Sequence, residues 1–131
     1  MTRRSEILIV EDNARNMKLV RDVLEHHGYP TVAAGSAEEG IEVARSRHPA
    51  LILMDVQLPG IDGVEALARL RQDAATADIC VVALTAFAMR DDRERFLAAG
   101  FDAYLEKPLD VPSLPAQIAA LIDGDRRKAQ R

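Results

Sequence analysis

The chain has no tryptophan, only 4% aromatic residues and a single cysteine among 131 residues. So few rings exclude a stacking platform for nucleic-acid bases, which needs exposed aromatics in series. A net charge of −4 adds to that exclusion, since phosphate backbones are held by cations. One cysteine excludes an internal disulfide and a cysteine metal cluster. Cys80 lies in Ile79-Cys80-Val81-Val82-Ala83-Leu84, where it reads as a small buried hydrophobe. No apolar run is long enough to cross a bilayer. Nor does the start read as a secretory leader, because Glu6 follows Arg3 and Arg4 with no apolar stretch between. A cytoplasmic protein with no membrane insertion and no nucleic-acid partner is expected.

What is present is ordinary for a globular domain, with 48% hydrophobic and 29% charged residues. Short apolar runs recur at Ile7–Val10, Thr31–Ala34, Leu51–Met54, Ile79–Leu84 and Ala103–Leu105. Continuous rather than alternating apolar strands suit a sheet covered on both faces. The segments between them read as helices. Met17, Leu19, Val20, Val23 and Leu24 fall at helical spacing before a stop at Gly28. Ser36 with Glu39 forms a capping box ahead of Ile41, Val43 and Ala44, and His48-Pro49 ends that helix. A third helix runs from about Gly63 through Leu67 and Leu70. A fourth spans about Met89 to Ala99, with Phe96 and Leu97 inward and Gly100 as terminator. The last carries Ile118, Leu121 and Ile122. Five strands alternating with five helices through short loops predict an open α/β sheet with helices on both faces. The expected domain covers residues 6–123, between a tail at 1–5 and a basic tail at 124–131.

In such sheets function gathers at the carboxyl ends of the strands. Asp55 is the most telling residue there. It ends the apolar run Leu51–Met54, and Val56 to Gly63 follow as a turn-rich loop. A carboxylate placed there is costly unless a cation pairs with it, and that segment supplies none. Either a remote Lys or Arg or a bound metal sits over Asp55, or it ionises with difficulty. Glu11 and Asp12 follow the first strand, Thr85 and Ala86 the fourth, and Lys107 the fifth. Like carboxylates ~4 Å apart repel by about 4 kcal/mol at an effective dielectric of ~20. A hard divalent cation offsets this, and oxygen-only ligands favour Mg2+. His26, His27 and His48 sit on helix ends away from this edge and are given no role.

These segments resemble the response-regulator receiver domain (CheY-like) over about residues 6–122. The pieces are Ile-Leu-Ile-Val-Glu-Asp-Asn at 7–13, Leu-Met-Asp-Val-Gln-Leu-Pro-Gly-Ile-Asp-Gly at 53–63, Leu-Thr-Ala at 84–86 and Lys-Pro-Leu at 107–109. The resemblance implies a flavodoxin-like (βα)5 doubly wound parallel sheet with strand order 2-1-3-4-5. It implies that Asp55 accepts a phosphoryl group from a sensor histidine kinase or a histidine phosphotransfer protein. Asp12, Asp55 and the backbone carbonyl of Gln57 would bind Mg2+, with Glu11 reaching it directly or through water. Thr85, Ala86 and Lys107 would meet the phosphoryl group, and Tyr104 would swing inward when Thr85 moves. A cis Lys107-Pro108 bond would position the lysine. Asn13 and Asn16 make the pattern similar to receivers of hybrid kinases and to stand-alone receivers of the DivK type.

Two features depart from the family pattern. Phe87 stands two residues after Thr85, where with Gln57 it would flank the route of attacking water. Pro112 and Pro115 near the last helix suggest a late or irregular start there. The family uses the face of the fourth helix, fifth strand and fifth helix to bind a downstream effector. The expected function is therefore a phosphorylation-controlled binding switch. It is not an enzyme beyond catalysing its own phosphorylation and slow dephosphorylation. A phosphorelay intermediate, passing the group to a histidine phosphotransfer protein, is the alternative. An aspartyl-phosphate phosphatase would need a titratable acid at position 57, where Gln57 stands. A flavin carrier would need hydroxyls where Glu11 and Asp12 repel phosphate.

Overall fold

In the computed structural model, residues 6–58, 60, 63–86, 90–107 and 109–129 are described, with side chains except at 90–93 and 125–129. The expectations on residues 1–5, Phe87, Met89, Pro108 and residues 130–131 lie outside them. Ten elements alternate: β1 (Ile7–Val10), α1 (Ala14–His26), β2 (Thr31–Ala34), α2 (Ala37–Arg47), β3 (Leu51–Asp55), α3 (Gly63–Gln72), β4 (Cys80–Thr85), α4 (Arg90–Ala99), β5 (Ala103–Glu106) and α5 (Leu114–Ala129). All strand pairs are parallel, in the order β2-β1-β3-β4-β5. The flavodoxin-like topology expected from the sequence is the one observed.

The unbroken apolar runs have the environment they require. Every residue of β1, β3 and β4 is buried, and full burial of one Leu or Ile side chain is worth roughly 1.5–3 kcal/mol. Alternation along the strands splits the core in two. Leu8, Ile52, Met54, Val81 and Ala83 pack under α2, α3 and α4. Ile7, Ile9, Leu53, Val82 and Leu84 pack under α1 and α5. Cys80 belongs to the second cluster and is 2% exposed, a small hydrophobe as expected.

Helix boundaries follow local chemistry. Asn13 Oδ1 caps α1 by accepting from the Asn16 amide at 3.0 Å. Ser36 Oγ accepts from Glu39 N at 3.2 Å, while Glu39 Oε2 reaches back to Gly35 N at 3.1 Å. The glutamate therefore returns one residue further back than in the standard capping box. α2 ends at His48 in the left-handed region, with φ 47°. α5 starts at Leu114, after a turn at residues 111–113 that contains Pro112, and Pro115 falls in its first turn. The late start expected from the two prolines is present. Two expectations fail. Leu19 and Leu97, assigned to inward faces, are each 46% exposed. Val20 and Leu24 fill the inward positions of α1, and Phe96 that of α4, where its ring meets Phe101 edge-on at 6.0 Å. A helix buries one stripe, and the adjacent position falls about 100° away.

One close approach sets the position of the loop after β3. A Cβ added at Gly63 would lie 2.7 Å from Val56 Cα and 2.8 Å from the Asp55 carbonyl oxygen. The Gly63 amide donates to Val56 O at 3.2 Å. The start of α3 thus rests directly on the backbone that carries Asp55. Gly63→Ala is expected to lower the unfolding free energy by about 1–3 kcal/mol through overpacking, read by urea denaturation. A wild-type midpoint would show that this contact is not tight.

Candidate functional site

Parallel strands in one register deliver their carboxyl ends to one edge. Val10 aligns with Met54, Asp55 with Leu84, and Thr85 with Glu106. Glu11 follows β1, its amide donating to Ala34 O at 3.0 Å. Lys107 follows β5, its amide donating to Thr85 O at 2.8 Å. The two-residue period then sorts side chains. Glu11 continues the series of Ile7 and Ile9, Asp55 that of Leu51 and Leu53, and Lys107 that of Ala103 and Leu105. All three series belong to the face under α1 and α5. Thr85 continues Val81 and Ala83, and Tyr104 pairs with Ala83 in register, so both belong to the face under α2, α3 and α4.

Glu11 and Asp55 are buried, with side chains 3% and 5% exposed. Lys107 Nζ joins them, donating to Asp55 Oδ2 at 2.8 Å and to Glu11 Oε2 at 3.0 Å. This is the remote cation that Asp55 required. Asp55 Oδ1 accepts from the Gln57 amide at 2.9 Å. Glu11 Oε1 accepts from Asn13 N at 3.3 Å and from Asn16 Nδ2 at 3.2 Å. Burial, and then the adjoining Asp55 carboxyl, raise the Glu11 carboxyl above its ordinary value, against the pull of Lys107 and Asn16. Burial opposes the charge on Lys107, but its bonds to Asp55 and Glu11 outweigh it and raise the ammonium above its ordinary value.

Asp12 is exposed beside this pair. One carboxylate oxygen from each of Glu11, Asp12 and Asp55 lies within 4.8 Å of the others. This acidic cluster can hold a metal ion. Its donors are all oxygens, which suits a hard divalent cation such as Mg2+ or Ca2+ rather than Zn2+. Thr85 is 1% exposed at the end of β4. Ala86 and Lys107 line a cavity of about 320 Å3 between α1 and the ends of β4 and β5, together with Glu11, Asn16, Leu19 and Leu109. Tyr104 is half-buried three residues before Lys107, and the Gln57 side chain is exposed. His26, His27 and His48 lie at the ends of α1 and α2, which in this topology is the opposite edge of the sheet. Sequence reasoning gave the amide donors Asn13 and Asn16 no structural task. Their signal was the spacing Glu-Asp-Asn-x-x-Asn, which puts a helix cap and an amide one turn later beside the acid that precedes the helix.

Lys107→Met leaves two buried carboxylates without their cation. The metal-free variant is expected to lose about 3 kcal/mol in urea unfolding at neutral pH, the low end for a broken buried pair because Lys107 keeps some solvent contact. The pH dependence has a defined sign. Lys107 is raised in the folded state, so its contribution is complete below its ordinary value of 10.5 and is lost as pH rises through the higher folded value. Glu11 is also raised, so its ionisation opposes folding as pH climbs from 4.5 through its folded value. The difference between wild type and variant should therefore shrink both in alkali and as Glu11 protonates. A difference that stays flat with pH would contradict this pairing.

Comparison with known proteins agrees with this arrangement. A family profile described as the response regulator receiver domain matches residues 7–119. The chain is 48% identical over 106 residues to the polar-differentiation response regulator DivK of Brucella ovis, covering 81% of this chain and 86% of that one. DivK of Brucella anthropi is 46% identical over the same length. Among solved structures, a CheY-like response regulator receiver domain protein from Methanospirillum hungatei superposes with a TM-score of 0.86 at 27% identity, covering 95% of this chain and 98% of that one. The receiver domain of sensor histidine kinase PA1611 from Pseudomonas aeruginosa superposes with a TM-score of 0.83 at 32% identity, covering 92% and 98%, and has a magnesium ion coordinated in its active site cleft. With its strand order, its buried acid–lysine pair and these relatives in agreement, the chain belongs to the response regulator receiver family, domains of two-component signalling that interact with histidine kinases and downstream effectors rather than acting as classical enzymes.

Proposed function

We propose that Asp55 is the phosphoacceptor of a phosphorylation-controlled binding switch in the cytoplasm. The carrying observation is a buried carboxylate at the end of the central strand, fixed by Lys107 Nζ on one oxygen and by the Gln57 amide on the other. A carboxylate oxygen of Asp55 forms an O–P bond as the N–P bond of a phosphohistidine breaks, and the imidazole leaves. Asp12, Asp55 and the Gln57 carbonyl would hold Mg2+, with Glu11 as a further ligand, direct or through water. When bound there, Mg2+ would supply charge neutralisation for an anionic phosphoryl group approaching an anionic nucleophile. Ala86 and Lys107 border the transferred group. Gln57, exposed beside Asp55, borders the route of the water that slowly hydrolyses it.

The transferred group then needs contacts absent before it arrives. Moving a two-state domain from 1:99 to 99:1 takes about 5.5 kcal/mol of differential stabilisation. Thr85 and Lys107 each offer one charged hydrogen bond worth roughly 1.5–3 kcal/mol. Together they reach that range and neither does so alone. Thr85 shares its face of the sheet with Tyr104, which supports a coupled movement towards the surface of α4, β5 and α5, where the effector binds. The curated relatives are named response regulators, which favours a switch over a relay.

Two experiments test this reading. Incubation with acetyl phosphate and Mg2+ should add one phosphoryl group to the wild type and none to Asp55→Asn, as read by intact mass. Labelling of the Asn variant would displace Asp55 from its role. Thr85→Ala should remain phosphorylatable while its partner affinity becomes nearly independent of phosphorylation. If the wild-type ratio of the two affinities survives, Thr85 does not carry the signal.

A further inference from the structure

We propose that Asn16 is a positioning residue for the metal site, because its side-chain amide decides which oxygen of Glu11 is open to a cation. The inference rests on the reading that Glu11, Asp12 and Asp55 hold Mg2+, and extends it to a side chain outside the acid cluster.

The argument starts from the hydrogen bonds of one carboxylate. An ionised carboxylate only accepts, and each oxygen offers about two lone-pair sites. Glu11 Oε1 takes two donors, the Asn13 amide at 3.3 Å and Asn16 Nδ2 at 3.2 Å. Both come from the start of α1. With those two bonds Oε1 is filled. Among the described residues, Glu11 Oε2 takes one donor, the Lys107 ammonium at 3.0 Å. Oε2 is therefore the oxygen with capacity left for an ion or for a water bound to one. It is held by the same lysine that holds Asp55 Oδ2 at 2.8 Å, so the open oxygen faces the acid cluster.

Asn16 can impose this choice because it is itself held. Its backbone amide donates to Asn13 Oδ1 at 3.0 Å, which closes the first turn of α1. The Asn13 backbone amide in turn donates to Glu11 Oε1. Glu11, Asn13 and Asn16 thus form a closed set in which the helix cap fixes the amide and the amide fixes the acid. A carboxylate accepting at the start of a helix is also favoured by the helix dipole. Without the Asn16 amide, Oε1 keeps only the longer of its two bonds. The carboxylate can then turn, and the ion loses a ligand that was already aimed. Partners one shell out from a metal typically matter by 10–100-fold in affinity.

The test measures Mg2+ affinity of the unphosphorylated full chain by isothermal titration calorimetry. Asn16→Leu keeps the branched shape of the side chain and removes the donor, and Asn16→Ala removes both. Each is expected to weaken Mg2+ binding by about tenfold. Asn16→Gln keeps an amide donor on a longer arm and is expected to retain most of the affinity. Asn16→Leu and Asn16→Ala also take one donor from a buried carboxylate, so each should lower the metal-free urea midpoint modestly, and Asn16→Gln should lower it less. A role in α1 alone would lower that midpoint while leaving the Mg2+ affinity of the folded protein at the wild-type value. Wild-type affinity in Asn16→Leu, or equal losses in Leu and Gln, overturns the inference. Asp12→Ala separates this from the underlying reading. If Asp12→Ala also binds Mg2+ as wild type does, the metal site itself is misplaced. If Asp12→Ala loses affinity and Asn16→Leu does not, the site stands and only the role of Asn16 falls.

Discussion

The Lys107 ammonium between the carboxylates of Glu11 and Asp55 is the interaction on which the site depends. Two buried like charges at the end of a low-dielectric sheet repel each other and lose hydration, and a cation between them offsets both costs. Lys107 comes from the far end of the chain, 96 residues after Glu11. It reaches the pair only because β5 lies beside β4 and β4 beside β3. The same contact that makes the acid pair tolerable also reports that the sheet is correctly ordered. A lysine is suited to this place, since a compact ammonium has three donors and can shift among acceptors as the charge around it changes.

The surrounding parts divide the work by face. Glu11, Asp55 and Lys107 lie on the side of α1 and α5, while Thr85 and Tyr104 lie on the side of α2, α3 and α4. The acid–lysine group and the Thr85–Tyr104 pair are thus separated by the thickness of one sheet and joined at the end of β4, where the carbonyl of Thr85 accepts from the amide of Lys107. A change of charge at Asp55 has a short path to both. At the opposite edge, Arg71 ties the C-terminal end of α4 in place. Its guanidinium donates to the carbonyls of Ala77, Ile79 and Gly100 and pairs with Asp102 at 2.9 Å. Asp102 also accepts from the Val81 amide. This arrangement anchors one end of α4, away from the strand ends where Thr85 lies.

Glycine and asparagine do quieter work at the site. Gly63 lets α3 rest on the backbone of Asp55 and Val56, so the loop carrying Gln57 is held by a van der Waals contact rather than by a side chain. Asn13 and Asn16 turn the first turn of α1 into a holder for Glu11. Neither role is visible in the acids themselves, yet both set where the acids point.

Much of this was legible in the sequence for a simple reason. Continuous apolar runs of strand length, separated by amphipathic segments, can only be buried in a sheet covered on both faces. That pattern determined the class of fold, the number of strands, and the strand-end location of Glu11, Asp12, Asp55, Thr85 and Lys107. The place of Asp55 at the end of Leu51–Met54 pointed to a cation from elsewhere as one of the ways to tolerate its charge. Which cation, and through which oxygens, was decided by the tertiary structure, because pairing across 52 residues depends on strand order and register and not on local pattern. The exposure of Leu19 and Leu97 was decided there too, since periodicity marks a stripe but not its edge. So was the task of Asn16, because a side-chain amide has no preferred partner until folding places one acceptor oxygen in front of it.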